Sequence, residues 1–458
     1  MTDRALLTRT AELAADHLEA VGERHAGPIA GHAELRAALG GALPEHGVPA
    51  QQVVEALARD AAPGLVASPG PRYFGFVTGG ALPAALAADW LASAFDQNSF
   101  SAVSSPAAAV VEEVACAWLL ELLGLPADAS VGLTTGAQMA NVTGLAAARG
   151  AVLARAGWDV EQHGLAGAPP IRVLAGEEAH VTVWRALRLL GVGRAAVEVV
   201  AADAQGRMRA DVLAEALGDG PAIVCAQAGN VNTGAIDPLA DIVAAAREHG
   251  AWVHVDGAFG LWAATSPALA GLVAGAADAD SWATDAHKWL NVPYDCGVVA
   301  VRDRAAHAAA MGMTASYLVR SGDEARSNSD WVPEASRRAR GFAVYAALRS
   351  LGRRGVAEMV ERCCGLARRL GSSMEGADGV EVLNEVALNQ VLLRFGANDA
   401  LTDEVIGRVQ EDGTCWVGGT RWRGMAAMRV SVSNWSTTEA DIDRSAEAIL
   451  AAARTSVA

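Results

Sequence analysis

Lysine is nearly absent from this 458-residue sequence: Lys288 is the only one, and the other 35 of its 36 basic side chains are arginine. Against them stand 52 acidic residues, a net charge of −16 at pH 7 that repels phosphate backbones and anionic lipid and argues against a nucleic-acid or membrane partner. Charged residues make up only 19%, below the usual ~25%, while the apolar set reaches 52%. That composition excludes a disordered chain and suits a large buried core. The six cysteines show no C-x-x-C spacing, which removes a redox pair or a zinc ribbon and leaves them as reduced core residues. His17, His25, His32 and His46 recur at irregular intervals, so no metal site is expected. No window approaches 18 uninterrupted apolar residues, and the opening MTDRALLTRTAELAADHLEA lacks the apolar stretch of a signal peptide. A cytoplasmic address is expected. Tyrosine is also scarce, at four: Tyr73, Tyr294, Tyr317 and Tyr345.

What is present has the pattern of an α/β enzyme. Leu6, Leu7, Leu13 and Leu18, then Val53, Val54 and Leu57, predict helices in an N-terminal arm over 1–65, with Gly27 to Pro49 as connection. A segment rich in Gly and Pro, Ser68 to Pro83, ends that pattern. Short apolar runs at Ile171–Leu174, Val197–Ala201, Ala222–Ala226, Trp252–Val255, Ser281–Thr284 and Gly297–Val301 then alternate with helical stretches. This predicts a mostly parallel sheet in a large domain over 66–335, with ligands at the carboxyl ends of the strands. The polar stretch within 311–335 reads as a mobile loop. A smaller α/β domain is expected over 336–458, with a helix over Ala335–Leu370 and strands near Val380–Leu383, Leu388–Arg394, Cys415–Val417 and Met428–Val432.

The lone lysine lies in DSWATDAHKWLNVPYDCGVVAV, just after a strand-like run. An amine, unlike a guanidinium, can lose its proton when desolvated and condense with a carbonyl. Pyridoxal phosphate is the cofactor that calls for this. It also needs a phosphate cup, a carboxylate beside the pyridine nitrogen and a group stacked on the ring. VHVDGAFG offers Asp256 at a strand end. LTTGAQMANVTG offers Thr134, Thr135 and the amides of Gly136 to Gln138 at a helix start, where the helix dipole favours an anion. His180, early in a helix after the strand near Ala175, offers an imidazole to lie on the ring.

Taken together, Thr135-Gly136-Ala137, His180, HVDGAFG and DAHKW resemble, in order and spacing, the pyridoxal-phosphate-dependent group II amino acid decarboxylases, which include the aromatic amino acid and glutamate decarboxylases. PRYFGFV, FDQNSFSAVSSPAAAVVEE and SRRARGFAVYAALRSLG extend the resemblance over most of the chain from about residue 65. It implies an aspartate-aminotransferase-type fold (fold type I), with a seven-stranded, mostly parallel sheet in the large domain, and a homodimer with active sites at the interface. It also implies decarboxylation of an L-amino acid through a Lys288 aldimine and a quinonoid. Residue by residue, Lys288 carries the cofactor, Asp256 pairs with the pyridine nitrogen and His180 stacks on the ring. Thr135, Gly136 and Ala137 hold the phosphate, Ala258 packs on the other ring face, and His287 lies near phosphate or substrate carboxylate. Phe76, with Phe100 and Ser104 from across the dimer interface, lines the substrate pocket.

The sequence departs from the family at two places. Asn230 and Val231 stand where those decarboxylases show a pair of threonines near the cofactor. Asn328 stands where their mobile loop carries a reprotonating tyrosine, and the only tyrosine in this loop is Tyr317. Arg429 resembles the carboxylate-binding arginine of aminotransferases. An aldehyde-forming decarboxylase, an aminotransferase and a catalytically silent paralog are therefore the alternative outcomes.

Overall fold

The computed structural model describes residues 3–313 and 327–457, which pack as two compact units. The larger comprises residues 81–365 and 384–390. Its seven strands are β1 (Ser130–Thr134), β2 (Arg172–Gly176), β3 (Val197–Val200), β4 (Ala222–Gln227), β5 (Trp252–Asp256), β6 (Ser281–Asp285) and β7 (Gly297–Val301). They form one sheet in the order β1-β7-β6-β5-β4-β2-β3. The pairs from β6 through β5, β4 and β2 to β3 are parallel, and β7 runs antiparallel to both β1 and β6. All residues of β4, β5, β6 and β7 are buried, as expected of near-continuous apolar strands covered on both faces. Each of the six expected runs is a strand, shifted by no more than two residues at either end.

Two helices illustrate how the faces are covered. Helix Ala137–Arg155 lies across β5, β6 and β7, burying Ala140, Leu145, Ala148 and Val152. Helix Leu239–Glu248 packs on β4 and β5 through Leu239, Ile242, Val243 and Ala246, the i, i+3, i+4, i+7 stripe of an amphipathic helix. Side chains alternate along a strand, so Trp252, His254 and Asp256 of β5 share one face while Val253 and Val255 share the other.

The smaller unit comprises residues 1–80, 366–383 and 391–458. Its four-stranded sheet has the order β10-β11-β9-β8, with β8 at Val380–Val382, β9 at Gln390–Phe395, β10 at Gly418–Trp422 and β11 at Met425–Ser431. The run Cys415–Val417, expected as a strand, contributes only an isolated bridge from Trp416 to Tyr73. Residues 66–80 belong with this unit, whereas the sequence placed them with the large domain. Arg72, nearly fully buried, donates to Thr414 O at 2.8 Å and pairs with Asp441 at 3.0 Å. Phe74 exchanges backbone hydrogen bonds with Trp416 and Ser431. A helix at His32–Leu39 occupies part of what the Gly, Pro and His mixture suggested was connection, with Glu34 accepting from the Gly31 amide at 2.9 Å. The long helix expected from Ala335 runs instead from Gly341 to Met374, broken at Gly352.

Candidate active site

The parallel strands of the large unit end where the site residues gather. Asp256 ends β5 and Asp285 ends β6, and Lys288 follows one turn later. Lys288 Nζ lies 3.1 Å from Asp285 Oδ2. The other oxygen, Asp285 Oδ1, accepts from the Ala137 amide at 2.6 Å. Asp285 is 3% exposed, so this carboxylate joins the only lysine amine of the chain to the start of helix Ala137–Arg155 in a setting where charge is poorly screened.

His287 Nδ1 accepts from the Cys296 amide at 3.1 Å, which leaves its proton on Nε2, 3.6 Å from Asp285 Oδ1. Burial lowers the imidazole pKa, so His287 is neutral at neutral pH. Its ring centroid is 4.3 Å from that of Tyr294.

Gly136 takes φ 151°, and a Cβ there would meet His287 Cε1 at 3.3 Å. Behind it, a Cβ on Gly297 would stand 2.3 Å from the Gly136 carbonyl carbon. The contact is with backbone and cannot be relieved by a rotamer. We expect Gly297→Ala to displace the Thr135–Ala137 turn and cut turnover about a hundredfold, since misplacement of about 1 Å has that effect. Titration of the variant with cofactor would show weaker binding, and unchanged binding would refute this role for Gly297.

Asp256 accepts from Asn141 Nδ2 at 3.1 Å and from the Ala258 amide at 3.2 Å. His180 caps the next helix: its Nδ1 accepts from the Thr182 amide at 3.3 Å and lies 2.7 Å from Thr182 Oγ1, leaving the proton on Nε2. The His180 amide donates to Gln227 at the end of β4. Asn230 follows β4 and is 1% exposed. Its Oδ1 accepts from the amides of Asn232 and Thr233, whereas its buried Nδ2 has no acceptor among the described residues.

The other expected residues have these settings. Phe76 and Arg429 belong to the smaller unit, where Phe76 is largely exposed with its ring 5.4 Å from that of Trp416, and Arg429 is half-buried. Phe100 accepts from the Ser329 amide through its carbonyl, and Ser104 bonds within its own turn to Ser101. Asn328 is fully buried and donates to Ser99 Oγ at 3.0 Å. Tyr317 and most of the expected loop lie outside the described residues. Sequence reasoning missed Asp285 and Asn141. Asp285 was visible as the carboxylate three positions before the lone lysine, whereas nothing local marked Asn141.

An isolated amine beside helix-start amides and a strand-end carboxylate is of use to a carbonyl cofactor that carries a phosphate, and that defines the class of enzyme. The model of the pyridoxal-dependent decarboxylase conserved domain matches residues 33–395, and the chain belongs to that family. It is 27% identical to tryptophan decarboxylase 1 of Oryza sativa subsp. japonica, over 94% of this chain and 90% of the relative. It is 34% identical to L-2,4-diaminobutyrate decarboxylase of Rhizobium meliloti, over 68% of this chain and 62% of the relative. The crystal structure of Oryza sativa TDC with PLP and tryptamine superposes with a TM-score of 0.91 at 25% identity, covering 99% of this chain and 97% of that one. The protein is thus a pyridoxal-phosphate-dependent carboxy-lyase acting on an L-amino acid, as the sequence implied. These relatives do not favour the aldehyde-forming, amino-transfer or silent alternatives.

The residues present fit this cofactor. The start of helix Ala137–Arg155 suits a phosphate, the buried Asn230 Nδ2 is a donor in need of an acceptor, and Lys288 pairs with the Asp285 carboxylate that meets this helix start.

Proposed function

We propose that Lys288 attaches the cofactor, Asp256 keeps its ring nitrogen protonated, His180 stacks on the ring, and Thr135, Gly136 and Ala137 hold its phosphate. His287 and Asn230 complete the polar lining, and Ala258 supports the opposite ring face. The observation that supports this reading is the bridge from Lys288 through Asp285 to Ala137 N, which brings the one lysine of the chain to the start of helix Ala137–Arg155. When bound, pyridoxal phosphate supplies an electron sink for the electron pair left as carbon dioxide departs. The chain's own part is positional and electrostatic. Asp256 presents a buried carboxylate held by two donors, so its orientation is fixed before any ligand arrives. His180, with its proton on Nε2 and its Nδ1 occupied by Thr182, offers one donor at a defined atom.

We also infer a cytoplasmic homodimer. Among the described residues no helix is long and apolar enough to cross a membrane, and the six cysteines are buried in the core rather than set at the surface, which suits a reducing compartment. In helix Ala50–Ala61 no residue is buried, and Val53 and Leu57 are 50% and 58% exposed. A second copy of the chain would cover that stripe, and Phe100 and Ser104 would then face the active site of the partner subunit.

The test is incubation of the full chain and cofactor with a panel of L-amino acids, followed by mass spectrometry. Amine and carbon dioxide in equal amounts without peroxide are expected. Aldehyde with peroxide, keto acid without carbon dioxide, or no product from any amino acid would each overturn the reading.

A further inference from the structure

The face of β5 that carries Asp256 also carries Trp252 and His254, and these polar groups form a single connected path. Trp252 Nε1 donates to Ser281 Oγ at 2.8 Å. His254 Nδ1 lies 2.8 Å from the same Oγ, and His254 Nε2 lies 2.9 Å from Asn141 Oδ1. Asn141 Nδ2 donates to Asp256 Oδ2 at 3.1 Å. Every member is at most 4% exposed.

The proton positions follow from chemistry. Asn141 Nδ2 donates to Asp256, so Asn141 Oδ1 accepts from His254 Nε2; Nδ1 of the neutral ring then accepts from Ser281 Oγ, which in turn accepts from the indole N–H of Trp252. The imidazole proton is then on Nε2, where it meets the amide oxygen of Asn141. The amide nitrogen is left to face the carboxylate, which only accepts when ionised. All the hydrogen bonds therefore point the same way, towards Asp256, and bonds aligned in this manner polarise one another. A longer contact of 3.4 Å from Asn141 Nδ2 to Thr182 Oγ1 extends the path to the hydroxyl that meets His180 Nδ1.

The helix opposite is shaped for this path. Gly144 lies inside helix Ala137–Arg155, where glycine costs about 1 kcal/mol relative to alanine. A Cβ at that position would stand 2.8 Å from His254 Cε1 and 3.0 Å from Nδ1. The helix thus forgoes a side chain where the imidazole sits. Burial also pushes the His254 pKa down to about 3, so the ring stays neutral and keeps one donor and one acceptor throughout the working range.

We propose that Asn141 and His254 are positioning residues: the path Trp252, Ser281, His254, Asn141 sets the orientation of the Asp256 carboxylate, and through it the protonation of the cofactor ring nitrogen. This rests on the assignment of Asp256 to that nitrogen. Without Asn141 Nδ2, the carboxylate keeps one donor instead of two, and a charge-assisted hydrogen bond that fixes its orientation is lost.

The experiment uses the full chain with pyridoxal phosphate labelled with 15N in the ring, comparing wild type with Asn141→Ala, His254→Phe, His254→Gln, Ser281→Ala and the Asn141→Ala/His254→Phe double variant. The readouts are the cofactor dissociation constant and the ring 15N resonance. Asn141→Ala and His254→Phe should each weaken cofactor binding about tenfold and move the resonance towards the unprotonated position, the strength expected of a hydrogen bond to a charged group. The double variant should be no worse than either single one, because both break the same path. His254→Gln, which retains an amide donor, should recover part of the shift, and Ser281→Ala should give a smaller shift of the same sign. Should His254→Phe not fold, Asn141→Ala decides, since alanine is well tolerated in a helix. A resonance unchanged from wild type in a folded Asn141→Ala variant overturns the proposal, as do additive effects in the double variant. If the wild-type resonance is already unprotonated, or Asp256→Asn leaves it in place, the assignment of Asp256 fails and the path falls with it.

Discussion

Lys288→Ala is expected to lower turnover about a thousandfold or more, the scale seen when the attacking group of a covalent mechanism is removed. The expectation is unusually clean because the chain has no other lysine to substitute for it. Borohydride treatment of the wild-type protein with pyridoxal phosphate should fix the cofactor to one peptide, the one containing Lys288, and no lysine-linked adduct should form in the variant. Lys288→Arg separates charge from chemistry. It retains a cation to face Asp285, so the folded state is kept, yet a guanidinium does not condense with the carbonyl. Both variants should be inactive, with Lys288→Arg the more stable of the two, because Lys288→Ala leaves the buried Asp285 without its cation. Carbon dioxide release by Lys288→Ala within tenfold of wild type would refute the assignment.

Glu112→Ala should have the largest effect on stability. Arg337 Nη1 donates to both carboxylate oxygens of Glu112 at 2.8 Å, and both side chains are completely buried. Arg337 also donates to the carbonyls of Ser99 and Leu133, and Ser99 Oγ donates to Glu112 Oε2. Removing one partner of such a pair leaves an uncompensated buried charge, at a cost of about 3–5 kcal/mol. The denaturation midpoint of Glu112→Ala should fall accordingly. The Glu112→Leu/Arg337→Met double replacement should recover much of the loss, because it removes both charges and fills the space with apolar volume. A midpoint for Glu112→Ala equal to that of wild type would contradict this account. Leu133 precedes the Thr135–Ala137 turn, so the folded fraction of Glu112→Ala should also bind cofactor more weakly.

Asn328 belongs to the same network. Matching it to the position of a loop tyrosine suggested a residue facing substrate, but within the chain its amide donates to Ser99 Oγ in a fully buried position. The sequence could not reveal this, because its partner Ser99 lies 229 residues earlier and shares no local pattern with it.

The site itself was unevenly legible. Lys288 and Asp256 stood out because one is chemically unique in the chain and the other ends an apolar run. His254 sat within the same HVDGAFG motif and carried no signal, since a histidine between two valines in a buried strand reads as core. Asn141 and Ser281 were equally silent. Their meaning depends on which strand and helix face β5.

The sequence by itself determined the sole amine, the run of buried strands, and the order of the cofactor motifs, because hydrophobic period and residue chemistry are local properties. Tertiary structure decided that Asp285 reaches back 148 residues to the Ala137 amide and that Asn141 meets Asp256 across 115. It also decided that residues 66–80 pack with the C-terminal strands. The physical reason is that strand order and helix placement choose the long-range partners, while the period of a segment fixes only which side chains it presents to them.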